Sequence, residues 1–191
     1  MVEIELKFKI DNVSEMIRRL KEIGFFMSPF DFQKYQKTVM HDNADKIMQK
    51  KDCRLRVRTA GENNIELSYK KPITREGIKK EIEYELIIDD DDGEEFKKIL
   101  KEMGFEPVSS YEKYRTTLTR NETKADIDEY PFANYLEIEG SEEEIKKVAN
   151  ELGLDMKDNL TESCDNLFAE WRKERELKPK TNMLFKTYDK T

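Results

Sequence analysis

Three segments of the chain carry the same tripeptide, at Glu3-Ile4-Glu5, Glu81-Ile82-Glu83 and Glu137-Ile138-Glu139. On a strand, successive side chains point to opposite faces, so each tripeptide aims two carboxylates one way and buries its isoleucine on the other. Cations follow the same rule: Arg54, Arg56 and Arg58 oppose Cys53, Leu55 and Val57, and Lys113 and Arg115 flank Tyr114. Parity adds Lys7, Glu66, Ser68, Lys70, Lys79, Glu85, Asp126 and Asp128 to the charged face, against an apolar face that includes Ile4, Leu6, Leu67, Tyr69, Tyr84, Ile127 and Leu136. A sheet that is apolar on one face and doubly charged on the other either opens its charges to water or turns them inward by closing. Closure also abolishes unpaired edges. The pattern therefore predicts an α+β fold, a closed antiparallel β-barrel or tunnel of about eight strands with flanking helices. Ordinary packing cannot fill a charged lumen, and unpaired buried charge is costly, so such a lumen calls for water, metal and an anionic ligand. Not every charge is expected to find an opposite partner when the lumen is empty.

Strand-then-helix units recur three times. Val13, Met16, Ile17, Leu20 and Ile23 fall at helical spacing after a start near Asp11 or Asn12; Phe96, Ile99, Leu100 and Met103 follow the acidic stretch Asp89 to Asp92; Ile145, Val148, Ala149 and Leu152 follow a Ser141 N-cap. The units end alike, in Gly24-Phe25, Gly104-Phe105 and Gly153-Leu154. Further strands are predicted around 33–40, 53–59, 65–71, 111–118 and 124–127. A hairpin turn is placed at 61–64, a polar connector at 43–51 and a loop at 72–77. Leu160, Cys164, Leu167, Phe168 and Trp171 mark one face of a late helix over roughly 161–177, with Phe168 and Trp171 read as core contacts. A single domain over 1–177 is expected, with a polar tail over 178–191 in which Leu184 and Phe185 are the residues able to dock.

Composition narrows the function classes. With 37% hydrophobic and 40% charged residues the 191-residue chain is polar, but its ten Phe, eight Tyr and regular alternation argue for a folded core. A formal net charge of −7 argues against nonspecific binding of duplex nucleic acid, which needs a basic surface. Any affinity for phosphate must come from a local cluster. Cys53 and Cys164 stand alone, with neither zinc-ligand spacing nor a disulfide framework. No signal-peptide pattern or membrane-length apolar run occurs, so a cytoplasmic protein without membrane contact is expected, as a monomer or homodimer. The lone His41 reads as a surface residue of a polar loop, and Arg58 as the arginine of its strand that serves the sheet.

In order along the chain, Glu3-x-Glu5-x-Lys7, Arg54-x-Arg56, Lys70 before Pro72, Glu81-x-Glu83, Lys113-x-Arg115, Asp128 and Glu137-x-Glu139 resemble the CYTH family, also called triphosphate tunnel metalloenzymes. Each motif alone is weak; their ordered combination from residue 3 to about 140 is specific. The resemblance implies an eight-stranded tunnel and a Mg²⁺ or Mn²⁺ cofactor held by Glu3, Glu5, Glu137 and Glu139. It implies a triphosphate-containing small molecule gripped by Lys7, Arg54, Arg56, Lys70, Lys113 and Arg115. It also gives Glu81, Glu83 and Asp128 catalytic roles, holding a second metal or orienting water. Among the activities in such a family, metal-dependent hydrolysis of tripolyphosphate, thiamine triphosphate or a nucleoside triphosphate is expected first. The alternatives are class IV adenylyl cyclisation and noncatalytic triphosphate binding. His41-Asp42 and Lys79-Lys80 depart from the pattern, where an aromatic before the acid and an arginine are frequent.

Overall fold

The alternating strands close on themselves. In a computed structural model, which describes residues 1–28, 33–60, 64–178 and 182–187, the strands are β1 (Val2–Ile10), β2 (Lys34–Asn43), β3 (Arg54–Ala60), β4 (Asn64–Thr74), β5 (Lys79–Asp89), β6 (Phe105–Arg120), β7 (Thr123–Glu129), β8 (Asn134–Glu139) and the short β9 (Asn182–Met183). Their order is β2-β3-β4-β5-β1-β8-β7-β6-β9, and an additional β2–β6 pairing joins the first eight into a closed barrel. Neighbours among the eight are antiparallel, while β9 runs parallel to β6. The helices are α1 (Val13–Glu22), α2 (Ile47–Lys50), α3 (Asp90–Glu102), α4 (Glu142–Glu151) and α5 (Cys164–Glu174). No helix among the described residues is long and apolar enough to cross a membrane.

Outward apolar residues account for the helices' positions. Leu6 and Phe8 of β1, Leu118 of β6, Ile127 of β7, and Leu136 and Ile138 of β8 form one core with Met16 and Leu20 of α1 and Ile145, Val148 and Ala149 of α4. Val57, Ile65 and Ile88 form a second under Leu100 of α3. A third, which reaches into the barrel with Met40, Tyr111 and Tyr130, adds Tyr135, Phe168 and Met183 and packs against Trp171, so Phe168 and Trp171 are core contacts as expected. The caps follow the sequence: Asn12 accepts from the Glu15 backbone N–H, and Ser141 from that of Glu144. Gly24 and Gly153 end α1 and α4 at φ +90° and +63°, a region that L side chains avoid.

Several boundaries differ, each for a tertiary reason. β6 starts at Phe105, not 111, because its first half pairs with β2 across the barrel seam. β4 runs through Pro72 to Thr74, where a register shift accommodates a residue without a backbone N–H. Within the polar connector, the Asp42 carboxylate accepts from the backbone N–H groups of Asn43, Met48 and Gln49 and organises α2. His41 is buried in β2, with Nδ1 3.2 Å from the Val39 carbonyl oxygen, instead of lying on the surface. The late helix begins only at Cys164, after the Ser163 cap, and ends at Glu174. β3 and β4 pair as a hairpin, but residues 61–63 of the expected turn lie outside the described residues. The apolar face is also incompletely covered: Tyr84 and Tyr114 are exposed, Tyr84 resting on Tyr69 at 6.5 Å between ring centroids. Of the tail, Phe185 docks against Tyr114 at 5.1 Å between centroids, and Met183 is fully buried.

Candidate active site in the barrel lumen

Strand parity sends the charged faces inward, and the side chains leave a cavity of about 110 Å³ along the barrel axis. All six expected phosphate clamps, Lys7, Arg54, Arg56, Lys70, Lys113 and Arg115, line it, as do Glu3, Glu5, Glu83, Glu137 and Glu139. Glu81 and Asp128 do not. They are 1% and 0% exposed and sit behind the cations: Glu81 pairs with Arg54 and lies 3.0 Å from Lys79, while Asp128 accepts from Lys113 at 2.6 Å and from both Nε (2.6 Å) and Nη2 (2.5 Å) of Arg115. Their placement is that of groups that aim cations, not of groups that reach a ligand.

At one mouth, carboxylate oxygens of Glu3, Glu5 and Glu139 all lie within 4.8 Å of one another. Register explains the crowding, because Glu5 and Glu139 are direct partners across β1 and β8, an unfavourable placement for like charges. Glu137 is not in this trio; it lies 3.1 Å from Lys7 and 2.7 Å from Arg115. Burial pushes the Glu139 carboxyl up to about 7, with Glu3 and Asp126 adding to the rise against Lys124. For Glu3 burial acts the same way, but Lys70 and Lys79 outweigh it and hold the carboxyl at about 2. Burial is likewise overcome at Glu5, which Lys7 and Lys79 hold below the usual carboxylate range. Three oxygen donors with no nitrogen or sulfur ligand make a set suited to a hard divalent cation.

Every clamp has a carboxylate partner, whereas Glu85, which also lines the lumen, has its carboxyl pushed up by burial and by neighbouring Glu66 and Glu83. Arg56 lies 3.1 Å from Glu83 and donates to the Ser68 hydroxyl, Lys70 reaches Glu3 at 2.5 Å and Glu83 at 3.1 Å, and Arg115 meets Asp126, Asp128 and Glu137. Arg58, read as structural, also lines the lumen and pairs with Glu66 at 3.2 Å. Lys79, Lys124 and Tyr111 line it as well; their parity with Glu81, Asp126 and Lys113 was the available signal. Burial and neighbouring Arg115 lower Lys113, with Asp128 opposing. At the other end the first turn of α5 enters the lumen with Ser163, Cys164 and Asp165, and Tyr130 joins them. This contact between distant segments has no local signature.

The CYTH domain profile matches residues 1–164. This chain belongs to the CYTH family. A protein of Methanocaldococcus jannaschii, provisionally named an adenylate cyclase, is 30% identical over 171 residues, covering 87% of this chain and 94% of that protein. A Vibrio parahaemolyticus structure, also provisionally named an adenylate cyclase, superposes with a TM-score of 0.76 at 16% identity, covering 88% of this chain and 98% of that one. A Hippeastrum structure described as having a dominant triphosphatase activity gives 0.60 at 21% identity, over 90% of this chain and 96% of that one. At those identities the two structures share the CYTH fold with this chain.

Two consequences follow for stability. Asp128→Ala leaves Lys113 and Arg115 buried with diminished compensation, and urea unfolding should show a loss of about 3–5 kcal/mol, the scale for breaking one side of a buried ion pair. Burial raises the Asp165 carboxyl above its ordinary 3.8, with Arg54 opposing. The folded state therefore holds that proton more tightly than the unfolded chain, and Asp165 detracts from stability once pH rises above 3.8. Asp165→Asn should raise the melting temperature at pH 7, and the gain should shrink as pH falls toward 3.8.

Proposed function

We propose that this CYTH protein is a metal-dependent hydrolase of triphosphates. One observation carries the reading: the oxygen trio of Glu3, Glu5 and Glu139 opens into the same lumen as six buried or half-buried lysines and arginines. Guanidinium groups grip phosphate oxygens in pairs, and ammonium groups follow them as point charges. Phosphoryl transfer passes through a loose, highly charged transition state, so a site that positions and neutralises does most of the catalytic work. Lys7, Arg54, Arg56, Lys70, Lys113 and Arg115 hold the phosphate oxygens in this reading. Glu81 and Asp128 act through the cations they aim, and Glu83 shares the lumen with Arg56 and Lys70. The trio would hold Mg²⁺ or Mn²⁺, which supplies charge neutralisation at phosphate oxygens when bound.

Cyclisation of ATP is the second reading, favoured by the provisional name of the Methanocaldococcus jannaschii relative. It requires a nucleoside pocket that presents a ribose hydroxyl to the α-phosphate, whereas hydrolysis requires only an oriented water. Incubation with tripolyphosphate, thiamine triphosphate or ATP, each with Mg²⁺ or Mn²⁺, separates the readings. Phosphate release without cyclic nucleotide supports the hydrolase, cyclic AMP the cyclase, and binding without turnover a noncatalytic module.

Activity should vanish in EDTA and in Glu5→Gln, whose circular dichroism spectrum should match that of the wild type; turnover that persists in EDTA refutes the metal requirement. Arg56→Ala should weaken tripolyphosphate binding by about 1.5–3 kcal/mol, the scale of a hydrogen bond to a charged group, as read by calorimetry.

A further inference from the structure

β7 pairs with β6 only from Tyr114 to Arg120, so the earlier part of that edge of β6 needs another partner. β9 supplies one at Ser110 and Tyr111. The Asn182 side chain accepts from the Ser110 backbone N–H at 3.0 Å and lies 3.2 Å from its hydroxyl, and the Phe185 backbone N–H donates to Glu112 at 2.9 Å. Met183 and Tyr111 are register partners, so their side chains share the inward face. Met183 is fully buried, packs in one cluster with Met40, Tyr111 and Tyr130, and has its sulfur 3.9 Å from that of Cys164. Met40, Tyr111, Tyr130 and Cys164 all line the lumen. Two residues beyond Tyr111 on the same face stands Lys113.

We propose that the segment Asn182–Thr187 is a working part of the tunnel wall, with Met183 as a positioning residue. Met183 fills the gap between β6 and the first turn of α5, seals that end of the lumen at Cys164, and fixes the β6 stretch that presents Lys113 and Arg115. The segment lies beyond the residues matched by the family profile. Its effect on ligand affinity rests on the triphosphate reading; its sealing of the lumen does not. An alternative role, edge cover alone, would stabilise β6 without touching the site.

The two roles separate in the full-length protein through tripolyphosphate affinity and the rate at which maleimide alkylates Cys164, assigned by peptide mass spectrometry. Met183→Ala is expected to weaken tripolyphosphate binding by about tenfold or more, as small displacements of positioned groups do. It should also expose Cys164 to rapid alkylation, and Met183→Leu should restore both. If Met183→Ala does not fold, Asn182→Ala, which removes the contacts to Ser110, makes the same comparison. A lowered melting temperature with unchanged affinity overturns the positioning role and leaves β9 as edge cover. If the wild type itself binds no tripolyphosphate, the triphosphate reading fails, and the alkylation rate decides the sealing role: faster in the variant upholds it, unchanged overturns it.

Discussion

Burying charges of both signs inside a closed barrel is the constraint on which the rest of the structure depends. Inward cations meet carboxylates on neighbouring strands or, as Arg54 with Glu81 and Arg56 with Glu83, two strands away, and the strand register sets many of the meetings. Lys7 faces Glu137, Glu5 faces Lys79, Arg58 faces Glu66, Lys70 faces Glu83 and Arg115 faces Asp128 as direct cross-strand partners. A slip of one residue would send every one of these side chains to the opposite face. Buried ion pairs add little net stability over apolar replacements, yet leaving one half-broken is heavily destabilising. The pairs therefore act mainly against wrong registers, while the apolar clusters under the helices supply the free energy of folding.

The same pairing sets the terms on which a ligand binds. The clamps fold back onto carboxylates, and in the triphosphate reading an incoming polyanion would exchange partners with them. Arg115, held by three acids, is the most committed of the clamps; Arg54 and Arg56 are each held less completely. Affinity then depends on the difference between carboxylate and phosphate as partners, which favours ligands presenting many oxygens in a row over a single phosphate. Glu5 opposite Glu139 is the exception, a pair of like charges whose natural relief is a cation.

Much of this was legible because period-two alternation is a local property. Parity alone places Glu3, Glu5, Lys7, Arg54, Arg56, Lys70, Lys113 and Arg115 on the inward face, and caps such as Asn12 and Ser141 announce their helices. Parity cannot say how deep an inward residue sits. Glu81 and Asp128 have the same signature as Glu83 and Glu137 but end up behind the cations, since depth depends on tilt and on the length of the opposing side chain. Burial of His41 was hidden because β2 continues beyond its apolar run to pair with the start of β6. The contributions of Cys164, Asp165 and Met183 come from segments far along the chain, Met183 docking on the stretch of β6 that β7 leaves unpaired, and nothing local encodes such a contact.

The two ends of the lumen are consequently built by different means. Strand parity alone makes the end at Glu3, Glu5 and Glu139, which is rich in carboxylate oxygens. The opposite end is finished by the N-terminus of α5, whose partial positive charge and Ser163 cap stand beside Arg54 and the Tyr111 ring. Lys7 joins the ends: its backbone bonds the Leu160 N–H and the Asn159 side chain, and its ammonium lies between Glu5 and Glu137. In the triphosphate reading, a linear anion would meet cation-seeking oxygens at one end and a helix terminus at the other.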